Sequence, residues 1–137
     1  MPFVIDASVA ACWAFEDEDH PVAAIALERI RADIARAPAL LWFELRNILI
    51  VNERRKRLTE ADTAGFLRSF ARLGLTIDRS PDGEDVLALA RQRGLTVYDA
   101  AYLELARRES FALATLDVAL AKAARAEGVA LLDPNTA

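Results

Sequence analysis

Short apolar runs alternate with stretches of helical periodicity along this chain, and several of the runs lead into an acidic residue. Asp6 follows Phe3-Val4-Ile5, Glu44 follows Ala39-Leu40-Leu41, Asp99 follows Leu95-Thr96-Val97, and Asp117 follows Leu113-Ala114-Thr115. Strands separated by helices, at distances too long for hairpins, favour a parallel sheet covered on both faces. The carboxyl ends of such strands share one crevice, so acids distant in sequence can converge there. Clustered carboxylates repel one another, and a divalent cation relieves that repulsion by accepting their oxygens. The pattern predicts an α/β fold with one acidic pocket and a metal site.

Periodicity places the elements. Phe3 to Ile5 reads as a buried strand, and Val9 to Phe15 as an apolar helical stretch. Pro21 suits a first helical turn, and Val22, Ile25, Leu27, Ile30 and Ile34 extend that helix to Arg36, with Pro38 ending it. Ala39 to Leu41 is the expected second strand, and a helix runs from Trp42 towards Arg55. Thr59 and Asp62 form a capping pair for the next helix, which Gly74 closes before a strand at Leu75 to Ile77. Ser80-Pro81-Asp82 starts a further helix, with Gly94 after its end. Asp99 is expected to open a helix, Phe111 to Thr115 a strand, Asp117 another helix, and Val129 to Leu132 the last strand.

A length of 137 residues suits one domain that buries its core without disulfides or a structural metal. The single cysteine, Cys12, has no internal partner and reads as a small buried apolar residue. No apolar run approaches the ~20 residues of a membrane span, and the start Met1-Pro2-Phe3-Val4-Ile5-Asp6 lacks the basic and long apolar regions of a signal peptide. The expected location is the cytoplasm. A net charge of -4 argues against holding nucleic acid by a broad basic face. It leaves open an enzyme whose bound cations bridge an acidic site to phosphate.

Each acid taken singly has a bland explanation. An aspartate at a helix start caps free backbone N–H groups and faces the positive end of the helix dipole, which would suffice for Asp99 and Asp117. Glu44 is harder to dismiss, because among Leu41, Trp42, Phe43, Leu45 and Ile48 an ionised carboxylate is costly unless exposed or paired. Asp6 is harder still, since it ends a strand expected at the centre of the sheet.

The words around these acids resemble the PIN-domain family of nucleases, and in particular VapC-type toxins of bacterial toxin–antitoxin pairs. The matching segments are Val4-Ile5-Asp6-Ala7-Ser8-Val9, Trp42-Phe43-Glu44-Leu45-Arg46-Asn47, Thr96-Val97-Tyr98-Asp99-Ala100-Ala101-Tyr102-Leu103 and Ala114-Thr115-Leu116-Asp117-Val118-Ala119-Leu120. The resemblance implies that Asp6, Glu44, Asp99 and Asp117 form the catalytic and metal-holding set for Mg2+ or Mn2+, with Glu44 orienting the attacking water or completing the ligands. It implies supporting roles for Ser8, Thr115 and Asn47. Val118 and Ala119 depart from the pattern, standing where many relatives carry an acidic or polar residue. The implied activity is metal-dependent endonucleolytic cleavage of RNA, and the implied partners are a VapB-type antitoxin and a second copy of the chain.

Other features weigh less. Arg54-Arg55-Lys56-Arg57 could grip phosphates, yet cations at a helix carboxyl end are favourable on dipole grounds alone. Arg46, close to Glu44, is the better candidate for RNA contact. Tyr98 and Tyr102 could stack on a base or pack in the core. His20, beside the acidic run 16–19, reads as exposed. Ser8 stands where a haloacid-dehalogenase-type phosphatase needs its second acid, Asp6 lacks the paired acids of a response-regulator receiver, and the glycines of a P-loop or dinucleotide fold are missing. The sequence reading is therefore one PIN-like domain over residues 1–137, a three-layer α/β/α sandwich with about five parallel strands, for which the resemblance implies the order 3-2-1-4-5. The alternative is a non-catalytic PIN-like module that binds RNA or protein and uses its acids as caps.

Overall fold

Residues 1–136 are described by a computed structural model. A parallel sheet of four strands has the order β3-β2-β1-β4, formed by β1 (Phe3–Ile5), β2 (Ala35–Pro38), β3 (Thr76–Asp78) and β4 (Ala112–Ala114). Val4 faces Arg36 on one side and Leu113 on the other, and Ala37 faces Ile77. The expected fifth strand is reduced to Leu131, which bridges Leu113 in parallel on the outer side of β4. Its neighbours complete that bridge, with Leu113 N donating to Ala130 O at 2.8 Å and Leu132 N donating to Leu113 O at 2.9 Å.

β1 lies in the middle because it can. Phe3, Val4 and Ile5 are all apolar and fully buried, the pattern of a strand covered on both faces. On one face α6 (Val97–Glu109) packs against β1, β2 and β4 and is flanked by α5 (Gly83–Arg93) and α7 (Val118–Ala126). On the other, α1 (Ala7–Cys12) packs on α2 (Pro21–Arg29) and on α3 (Leu40–Arg54). α4 (Glu60–Ala71) begins with a reciprocal capping box between Thr59 and Asp62, as the sequence suggested. Residues 100–106 of α6 are buried without a break, which suits a helix clasped between a sheet and two neighbours. The alanines among them let α6 approach the sheet closely.

One polar knot pins this layer. Glu104 is buried on α6, and Arg108 Nε donates to its Oε1 at 2.7 Å. Arg108 Nη2 also donates to Asp78 Oδ2 at 2.8 Å, so α6 is tied to the edge strand β3. Among the described residues no helix is long and apolar enough to cross a membrane.

Two stretches differ from the sequence reading. The helix expected to reach Arg36 ends at Arg29, because the chain turns after Ile30 and Asp33 is held by the Arg29 guanidinium at 3.1 Å and the Met1 amino group at 2.8 Å. Ile34, spaced as if helical, is half exposed, and the second strand is Ala35–Pro38 rather than Ala39–Leu41. Ala39 to Leu41 instead begins α3, whose buried residues Leu41, Leu45 and Leu49 recur every fourth position. Second, Leu95 to Val97 forms no strand. Thr96 is the N-cap of α6 and accepts from Asp99 N at 3.1 Å, so Asp99 sits in the first turn and does not open the helix.

Candidate active site

The site grows from the end of β1. Asp6 is extended (φ -100°, ψ 176°) and caps α1, with Oδ1 accepting from Val9 N at 3.1 Å. Its amide donates to Ala114 O at 3.2 Å, which carries the β1–β4 pairing up to the carboxylate. Ser8 Oγ donates to Oδ1 at 2.6 Å and Thr115 Oγ1 donates to Oδ2. Each hydroxyl also accepts from the segment entering α7: Ser8 Oγ from Leu116 N and Thr115 Oγ1 from Asp117 N, both at 3.0 Å. Asp117 caps α7 by accepting from Leu120 N at 2.8 Å and is otherwise exposed.

Glu44 and Asp99 come from opposite helical layers. Glu44, in the second turn of α3, is half-buried, and its Oε1 accepts from Tyr102 Oη of α6 at 2.7 Å. Asp99 is half-buried one turn before Tyr102, and among the described residues its carboxylate has no hydrogen-bond donor and no ion pair.

Electrostatics tie the four acids together. Burial pushes the Asp6 carboxyl above its ordinary value of 3.8, against the lowering effect of the Ser8, Thr115 and Val9 hydrogen bonds, and the Asp117 charge pushes it further. Glu44 is raised first by burial, with the Tyr102 hydrogen bond opposing and the charges of Asp99 and Asp6 adding. Asp99 is raised by burial and then by the charges of Asp117 and Asp6. Tyr102 is pushed far above the ordinary phenol value by burial and by its Glu44 neighbour, so it remains a proton donor at any physiological pH. Among the described residues none of the four acids forms an ion pair with Lys or Arg.

The donor set is oxygen only, which suits a hard cation such as Mg2+ or Mn2+. Among the described residues no three His, Cys, Asp or Glu side chains are placed to hold one ion between them. Mg2+ tolerates such spacing, because it keeps several waters and takes only one or two direct carboxylates.

Among the described residues, no hydrogen bond joins the remaining candidates to the four acids. Asn47 is exposed on α3, one turn beyond Glu44. Arg46 lies back along its own helix: Nη1 donates to Trp42 O at 3.2 Å and the guanidinium stacks 3.7 Å from the centre of the Trp42 ring. It lines a groove of about 250 Å3 with Leu41, Leu67 and Phe70. Arg57, from the basic run, covers Phe15 and pairs with Asp17 and Glu18 of the acidic loop. His20 is exposed at the start of α2, and Cys12 is buried. Sequence reasoning missed what Tyr102 does. Its position three residues after Asp99, hence on the same helical face, was the available signal.

Comparison of the chain with known proteins decides the family. Residues 3–126 match the PIN domain family over nearly the whole chain. The chain belongs to the PIN-domain family. This PIN domain is 32% identical over 125 residues to Ribonuclease VapC3 of Pyrobaculum aerophilum, covering 89% of this chain and 94% of that one. It also resembles the crystal structure of PAE2754 from Pyrobaculum aerophilum, with a TM-score of 0.72 and 25% identity over 90% of this chain and 79% of the other.

Proposed function

We propose that this PIN domain is a Mg2+- or Mn2+-dependent endoribonuclease, the toxin of a VapC-type toxin–antitoxin pair, cutting RNA at Asp6, Glu44, Asp99 and Asp117. The observation that carries the proposal is four carboxylates from four separate segments, three of which, Asp6, Glu44 and Asp99, are raised first by burial and then by the charges of neighbouring acids, while among the described residues none of the four is paired with Lys or Arg. The similarity to Ribonuclease VapC3 supports the reaction class. Capping accounts for part of the set: Asp6 and Asp117 do cap helices. Glu44 lies inside a helix and Asp99 caps nothing, so two of the four acids have no such job. That weighs against a binding module whose acids are only caps.

Asp6, Asp99 and Asp117 would hold the cation, directly or through water. When bound, it supplies positive charge against the scissile phosphate and makes water a better nucleophile. The protein's part is placement. Ser8 and Thr115 fix both oxygens of Asp6 and, through Leu116 N and Asp117 N, set the start of α7 against it. Glu44 would orient the attacking water or complete the ligand set. The partners in this reading are RNA, a VapB-type antitoxin and a second copy of the chain.

Purified protein freed of any partner should cleave a structured RNA in Mg2+ or Mn2+, stop in EDTA, and lose cleavage in Asp6→Asn and Asp99→Asn. Cleavage that persists in excess EDTA, or in both variants, refutes the assignment.

A further inference from the structure

Resting on the proposed nuclease reading, we infer that Tyr102 is a positioning residue that holds Glu44 in the pocket. The phenol is 1% exposed, locked inside α6 between Ala101 and Leu103, and donates to Glu44 Oε1 at 2.7 Å across 58 residues of sequence. The distance is that of a well-formed O–H···O hydrogen bond. Glu44 needs such a hold. Its flexible side chain is half-buried near Asp6 and Asp99, whose charges disfavour its own, and Tyr102 is its hydrogen-bond donor among the described residues.

α6 therefore does two things at once. It presents Asp99 directly from its first turn and fixes Glu44 indirectly one turn later. Because Tyr102 engages Oε1, Oε2 is left for water or a cation. Tyr102 touches no reacting atom in this arrangement, so its effect passes entirely through Glu44.

Tyr102→Phe keeps the ring and removes only the hydroxyl. The expected result is a fall of about 10- to 100-fold in kcat for RNA, the range for partners that orient a metal-site ligand, with KM for RNA unchanged. Mn2+ affinity, titrated calorimetrically without RNA, should weaken in the same variant. In Glu44→Gln/Tyr102→Phe, kcat should equal that of Glu44→Gln alone, since a positioning residue has nothing left to position. Losses that multiply, or a Tyr102→Phe enzyme with parental kcat and Mn2+ affinity, overturn the inference. A metal-free readout separates it from the nuclease reading. The buried hydroxyl proton of Tyr102 should give a slowly exchanging downfield resonance that shifts in Glu44→Gln. Absence of that shift overturns the contact whether or not RNA is cut, whereas a shift in a protein that cuts no RNA would leave the contact standing and remove the function built on it.

Discussion

Asp6→Asn separates an acid kept for chemistry from one kept for stability. In the folded chain the carboxylate is 4% exposed and receives three hydrogen bonds, from Ser8, Thr115 and Val9 N. Bonds to a charged acceptor are each worth about 1.5–3 kcal/mol, yet the carboxyl is still raised above 3.8, so desolvation outweighs all three. A raised acid contributes stability that is fully present below its unfolded value and is lost as pH rises through its folded one. Asparagine is neutral and nearly the same shape. Its oxygen keeps Ser8 and Val9, and its amide must face Thr115, whose hydroxyl then accepts instead of donating. That neutral arrangement loses one good bond, about 1 kcal/mol, while escaping the burial of charge. With metal chelated, Asp6→Asn should match the parent near pH 3.5 and become the more stable of the two, with the higher Tm, as pH rises towards 7. Calorimetric melts across that pH range in EDTA measure it, and Mn2+ titration should show lost affinity in the same protein. A variant less stable than the parent at every pH would show that Asp6 is a structural cap and that the cradle exists to hold the fold.

Asp117→Asn should leave stability within a few tenths of a kcal/mol, because asparagine caps a helix about as well, while Mn2+ affinity falls at least about 10-fold; equal affinity would reduce Asp117 to a cap. Arg108→Met strands buried Glu104 and should cost about 3 kcal/mol in denaturant unfolding, with Glu104→Leu/Arg108→Met recovering most of it. Simple addition of the two single losses would contradict that account of the knot. Light scattering at micromolar concentration should read a mass near twice 15.0 kDa, and a monomer would remove the second copy from the proposed partners.

The outline of the fold was legible where the sequence signal was local and uncrowded. Phe3-Val4-Ile5 read as a buried strand and is one, Thr59 with Asp62 announced a helix start that the structure keeps, and Ser80-Pro81-Asp82 leads into a helix whose N-cap is Asp82. The second strand was misplaced for a physical reason. Ala35-Arg36-Ala37-Pro38 has no β-branched residue and carries a proline, and it forms because small side chains fit between β1 and β3. The more apolar Ala39-Leu40-Leu41 drew the assignment, although its leucines belong to the every-fourth-residue face of α3. At the site, the structure joins Asp6 to both expected hydroxyls, Ser8 and Thr115, and sets Glu44 and Asp99 within electrostatic reach of it. Tyr102 escaped because a buried tyrosine in an apolar helix looks like core, and only the three-dimensional neighbour Glu44 gives its hydroxyl a purpose. Arg46, two residues beyond Glu44, points elsewhere, since two helical steps of about 100° each turn it towards the opposite side of α3.

Asp6 is made 109 residues before the Thr115 hydroxyl that grips it. β4, which flanks β1 and brings Thr115 and Asp117 with it, follows the other three strands of the sheet in the chain. A nascent chain that ends before Tyr102 thus carries Asp6 without Thr115 and Glu44 without its hydrogen-bond donor. For the proposed nuclease, this order of assembly would delay the site in time: its fourth acid, Asp117, joins the other three only after β4 has been made.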